Sequence, residues 1–132
     1  MPVVTDRPDP SRPDPLRVDP LLSHARRTRE GVEVVLVLPE ASFERAQARL
    51  RLRAAAPDDE TAHGFPARVE TLPQGRRVVT VLPDDGGLAG TWRLQLRLGP
   101  RRAPQGLRTR LVLVPGRPVA LLPSFAESAL GN

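Results

Sequence analysis

The chain has 132 residues, 39% of them hydrophobic, a formal net charge of +5 and no cysteine. That length suits one domain with a single modest core, and the lack of cysteine excludes a disulfide framework, a thiol nucleophile and thiolate metal sites. All 20 basic residues are arginine, and isoleucine and tyrosine are missing too; the alphabet leans toward GC-rich codons, so the arginine count alone is weak ground for inferring phosphate binding.

Residues 1 to 30 read as a tail or linker. Arg7-Pro-Asp-Pro-Ser11, Arg12-Pro-Asp-Pro-Leu16 and Arg17-Val-Asp-Pro-Leu21 repeat every five residues, and proline at alternate positions favours an extended, polyproline-II-like or disordered chain. The tail carries six arginines against five acidic residues, a polyampholyte poorly suited to gripping nucleic acid. Its functional reading is a docking peptide anchored by Leu21 and Leu22. No stretch approaches the roughly 20 apolar residues of a membrane span, and Met1 to Asp6 lacks the basic-then-apolar order of a signal peptide. No membrane span and a cytoplasmic location are therefore expected.

The folded part is expected to begin near Gly31. Val32 to Leu38 is β-branched, short and closed by Pro39, which predicts a well-buried strand. Over residues 41 to 56 helix formers compete with alternation. Ala48, Leu50, Leu52 and Ala54 alternate with Arg49, Arg51 and Arg53, and on a helix Leu50 and Leu52 would stand about 200° apart. A strand over 47 to 55 is favoured, with a turn or helical wind near Phe43. Further strands are predicted over 66 to 72, 76 to 82, 90 to 99, 107 to 114 and 118 to 122. Within Gly90 to Gly99, Trp92, Leu94, Leu96 and Leu98 form a dry face opposite Thr91, Arg93, Gln95 and Arg97.

Leu-Pro closes segments at 38–39, 72–73, 82–83 and 122–123, as suits a residue that cannot donate to a sheet ladder. Seven strands with such punctuation predict an all-β, seven-stranded immunoglobulin-like β-sandwich over residues 31 to 123. Ser124-Phe-Ala-Glu127 has capping-box form, so residues 124 to 132 read as a short helical turn or tail.

Nothing is arranged for catalysis. Asp58-Asp59-Glu60 and Asp84-Asp85 sit beside turn-forming residues and lack the spacing of a calcium loop. Ser42, Ser124, His24 and His63 have no nucleophile-elbow context. Gly86-Gly87-Leu88-Ala89-Gly90 leads into a strand rather than the helix a phosphate loop needs. The chain reads as a non-enzyme without metal or cofactor.

Two binding surfaces remain. Arg49, Arg51 and Arg53, Arg93 and Arg97, and Arg108 and Arg110 each share one face of a strand; in one sheet these strands would make a basic plate for phosphates, polyanionic glycans or an acidic partner. In different sheets the charge would be spread. Val35, Val37, Val112 and Val114 lie on what would be the wet faces of their strands and call for a cover, which the C-terminal segment, the tail, a second copy or another protein could supply. Aromatic residues are only 3% of the chain, too few for a single-strand nucleic-acid platform.

Leu88-Ala-Gly-Thr-Trp-Arg-Leu-Gln-Leu-Arg-Leu98, after Val78-Val-Thr-Val-Leu-Pro83, resembles the small immunoglobulin-like modules of high-GC bacteria that accompany glycosyltransferases of cell-surface polymer synthesis. The shared features are a glycine turn, a G-T-W entry and an alternating strand, over about a quarter of the chain. The cysteine pair and corner tyrosine of antibody-type domains are missing. The resemblance implies an accessory role and carries over no catalytic residue. The expected function is a non-catalytic interaction module that docks to a partner enzyme, to its own copy or to a glycan; the alternative is an anion- or nucleic-acid-binding domain using the arginine face. A protein or a second copy is the favoured partner, a glycan comes next, and nucleic acid is the least favoured.

Overall fold

The computed structural model describes residues 16–39, 41, 47–84, 87–99 and 103–123. Eight strands run in order: β1 (His24–Thr28), β2 (Gly31–Leu38), β3 (Gln47–Ala54), β4 (Ala62–Leu72), β5 (Gly75–Leu82), β6 (Gly90–Arg97), β7 (Gln105–Leu113) and β8 (Ala120–Pro123). They form one antiparallel sheet in the order β1-β2-β5-β4-β3-β6-β7-β8, and β1 comes back into contact with β8. The result is a nearly closed barrel. No helix among the described residues is long and apolar enough to cross a membrane.

The all-β expectation holds, but the seven-stranded sandwich does not. A sandwich needs a break between two sheets, whereas β3 pairs with β4 on one side and β6 on the other, and β4 continues into β5. The additional strand, β1, lies before the expected start of the fold at Gly31 and pairs with β2 from Thr28↔Gly31 to His24↔Val35. The strand predicted over 47 to 55 is β3. Phe43 and the capping box from Ser124 to Glu127 lie outside the described residues.

Alternation explains the single core. Val32, Val34, Leu36 and Leu38 from β2, Leu50 and Leu52 from β3, Val78 and Leu82 from β5, Trp92, Leu94 and Leu96 from β6, and Leu107 and Leu111 from β7 are all buried in one cluster. An eight-stranded barrel leaves an interior just wide enough for such side chains to fill. Glycine makes two close strand approaches possible. Gly31 and Gly75 have φ of 137° and 138°, and a Cβ there would run into the carbonyl oxygens of Leu82 and Leu38 respectively.

The seam between β1 and β8 is held by other means than a ladder. At the upper end, where β2–β3, β4–β5 and β6–β7 connect, Leu16 N donates to Gly106 O and Asp19 N to Val37 O, both at 2.8 Å, so this segment crosses from β7 to β2. At the lower end the Arg27 side chain spans the gap. It donates from Nη1 to Asp84 Oδ1 at 2.6 Å, from Nη2 to Val114 O at 2.9 Å and from Nε to Arg117 O at 3.2 Å.

Candidate anion-binding face

The leucines of β3 and β6 decide where the arginines go. Leu50, Leu52 and Leu96 are fully buried and Leu94 nearly so, which turns Arg49, Arg51, Arg53, Arg93 and Arg97 to the outside of the barrel. On β7, burial of Leu107, Thr109 and Leu111 does the same for Arg108 and Arg110. The topology then makes the three strands neighbours, in the order β3-β6-β7. The structure therefore unites all the arginines named from the sequence on one outward face.

The register sets the rows. Arg53 stands opposite Arg93, and Arg93 opposite Arg110, giving a row of arginines across three strands. Arg49 stands opposite Arg97. Between these rows run Gly64, Arg51, Gln95 and Gly106, paired in that order from β4 to β7. Directly opposed residues on antiparallel strands have Cα atoms roughly 4.5–5.5 Å apart. The β6–β7 register shifts between Arg93 and Gln95, so Leu107-Arg108-Thr109 stands opposite Leu94 alone and Arg108 occupies a bulge.

The outward strand positions of this face are basic or neutral. The outward positions of β3, β6 and β7 described here hold no carboxylate, as the sequence and register together show. On β4, Glu70 pairs with Arg68 at 3.2 Å and with Arg77 of β5 at 3.2 Å. Arg49 and Arg93 are anchored on backbone carbonyls: Arg49 Nη2 donates to Gly64 O at 3.0 Å and Arg93 Nη2 to Ala55 O at 3.5 Å. A Cβ at Gly64 would lie in ordinary contact, 3.4 Å, with the Arg49 guanidinium nitrogens, so the guanidinium packs directly over this position. Sequence reasoning missed Gly64 and Gly106 as members of the face because only strand pairing reveals them.

Aromatic rings are turned the other way. Trp92 is buried and donates from Nε1 to Leu88 O at 2.7 Å, while His63 meets it edge-on at 5.4 Å and stacks with Phe65 at 6.4 Å. All three lie on inward positions, since Trp92 is opposite Ala54, His63 opposite Leu52 and Phe65 opposite Leu50.

The four valines fall in separate places. Val35 and Val37, on β2, are 8% and 5% exposed. Val35 has His24 and Val79 as its cross-strand neighbours. The backbone of Val37 is clasped by the segment before β1, its N–H donating to Ser23 Oγ at 2.9 Å and its carbonyl accepting from Asp19 N. Val112 is half-buried on β7, and Val114 beyond it is 41% exposed. Strands β8 and β1 separate the two pairs. Leu21 and Leu22 are exposed, on a turn whose amides donate to Asp19 Oδ1 at 2.8 and 3.2 Å.

The other candidate clusters resolve into turns or scattered positions. Asp59 Oδ1 accepts from Thr61 N at 2.9 Å, and hydrogen bonds from the Thr61 side chain and backbone hold its carboxyl below the usual range. Asp84 serves Arg27. His24 is exposed on β1, away from His63 on β4. Gly90 opens β6. Asp85, Gly86, Ser42 and Ser124 lie outside the described residues. Among the described residues no group of three His, Asp or Glu gathers as a metal cage would require. No protein-family model matches the chain, and neither does any curated protein or solved structure.

Proposed function

We propose that the chain is a non-catalytic module that binds a linear polyanion on the outward face of β3, β6 and β7. The observation that carries this reading is the register that aligns Arg53, Arg93 and Arg110 in one row and Arg49 with Arg97 in another. Guanidinium forks match phosphate and carboxylate oxygens in paired hydrogen bonds, and a surface rich in basic side chains raises the local concentration of an anionic partner. Codon bias explains why these positions hold Arg rather than Lys, but not why outward carboxylates are missing from adjacent strands. Among the described residues the rings of Trp92, Phe65 and His63 are all turned inward, so none of them offers a stacking platform on this face. That favours an anionic glycan or polyphosphate over a single-stranded nucleic acid read by its bases, and it suits an accessory role beside enzymes of anionic cell-surface polymers.

The test is a salt series with a sulfated glycan and with a polyphosphate. Counterion release makes log K fall linearly with log salt, with a slope of about −0.9 for each phosphate neutralised on a duplex and about −0.7 on a single strand. A steep slope that shrinks in Arg51→Gln, Arg53→Gln and Arg108→Gln is the expected outcome. Salt-insensitive binding, or a slope untouched by these changes, overturns the reading and returns the apolar docking surface to first place.

A further inference from the structure

The lower end of the β1–β8 seam opens into a cleft of about 720 Å³. Pro83, Pro115 and Pro118 wall it, Ala89 and Val119 line it, and Leu88 and Leu113 of the core reach its floor. Preformed clefts with mostly apolar linings and a few polar groups are the usual form of small-molecule sites, and barrel mouths are a common place for them. Proline walls lose little freedom when a ligand arrives. The geometry is fixed further by Arg27, which ties β1 to Asp84 and to the carbonyls of Val114 and Arg117.

The polar groups identify the ligand's charge. Arg27 and Arg117 both line the cleft, and among the described residues Asp84 is its one carboxylate, already paired with Arg27. Arg26 also lines it but is paired with Glu33 at 3.0 Å. Among the described residues the balance is one positive charge, that of Arg117. A guanidinium also has more N–H donors than the three acceptors that Arg27 meets, so this half-buried group retains donors for a further oxygen. We propose that the cleft binds a small amphipathic monoanion, an aliphatic carboxylate whose chain lies on Leu88, Leu113 and Val119 and whose head group meets Arg117 and Arg27.

This site is independent of the arginine face, and the experiment separates them. Octanoate, octanol and octylammonium are titrated into the full chain by calorimetry, with amide chemical shifts followed by NMR. Octanoate is expected to bind one to one, with shifts at Ala25, Leu88 and Val119, while octanol and octylammonium bind far more weakly. Arg117→Gln should weaken octanoate roughly tenfold, the worth of a charged hydrogen bond. Ala89→Trp, at an exposed lining position, should fill the cleft and abolish binding while polyphosphate affinity is kept. Octanol binding as well as octanoate, shifts confined to β3 and β6, or unaltered octanoate affinity in Ala89→Trp would each overturn the proposal.

Discussion

Arg27 on β1 and Asp84 after β5 meet at 2.6 Å across the lower end of the seam, where no backbone ladder joins β1 to β8. The Arg27 and Asp84 side chains are 29% and 40% exposed, so water screens much of the Coulomb attraction. What Arg27 contributes beyond charge is the pairing of the Val114 and Arg117 carbonyls. Arg27→Ala should therefore cost about 1–3 kcal/mol, whereas Asp84→Asn should cost at most about 1 kcal/mol. Urea denaturation measures both. Equal losses for the two variants would mean that the ion pair, and not the carbonyl pairing, holds the seam.

Trp92 joins the core to the loop before β6. It is 7% exposed and its indole nitrogen donates to Leu88 O at 2.7 Å. Trp92→Ala should destabilise the barrel by about 3–5 kcal/mol through the cavity it leaves. Trp92→Phe should recover much of the packing but strand the Leu88 carbonyl, at a cost of about 1–3 kcal/mol. Thermal unfolding of the two variants distinguishes packing from hydrogen bonding, and full stability in Trp92→Ala would contradict the buried assignment.

The hydroxyl of Thr80 is buried without a hydrogen-bond partner among the described residues. Thr80 faces the interior of β5 opposite Val34, in a core of aliphatic side chains. Replacing it with valine keeps the shape and removes an unsatisfied polar atom, so Thr80→Val should raise stability by about 1 kcal/mol or more. Chemical denaturation reads the change. A loss instead would reveal an internal water bound to the hydroxyl.

Much of this fold is legible in the alternation of Leu50, Leu52, Trp92, Leu94 and Leu96, because period-two patterning states which face of a strand is dry. It does not state which strands are neighbours. That β5 lies between β2 and β4, and so continues one sheet where a sandwich would break, depends on long-range pairing. β1 escapes for a different reason. Its inward positions are Ala25 and Arg27, and a guanidinium closing a seam leaves no apolar signature. The arginine face is half legible: the side of each strand follows from its leucines, but the adjacency of β3, β6 and β7 and the bulge at Arg108 do not.

Arg53 and Arg93 oppose each other directly, and like charges so placed destabilise a sheet. Arg53→Gln should therefore raise stability by a few tenths of a kcal/mol, about 0.2–1 at low salt, while weakening polyanion binding. Salt should erase the stability gain, because exposed charges are screened within roughly 8–10 Å at moderate ionic strength. A stability scan and a binding titration on the same variant test the trade. Loss of stability with retained affinity would show that Arg53 serves the fold and not a ligand.

Gly64 offers a change that disturbs the face without removing a charge. The Arg49 guanidinium lies over it, bonded to its carbonyl at 3.0 Å, with 3.4 Å between that group and a Cβ placed on the glycine. Gly64→Val adds a residue that suits an exposed strand position, so the barrel should be as stable or slightly more so. The added methyl groups must displace Arg49, whose freed side chain would then lose more conformational entropy on meeting a ligand, about 0.5–1.5 kcal/mol for such a group. Polyanion affinity should fall a few-fold at unchanged net charge and with a similar salt slope. Unchanged affinity would mean that Arg49 acts only through its charge, with no advantage from being held on β4.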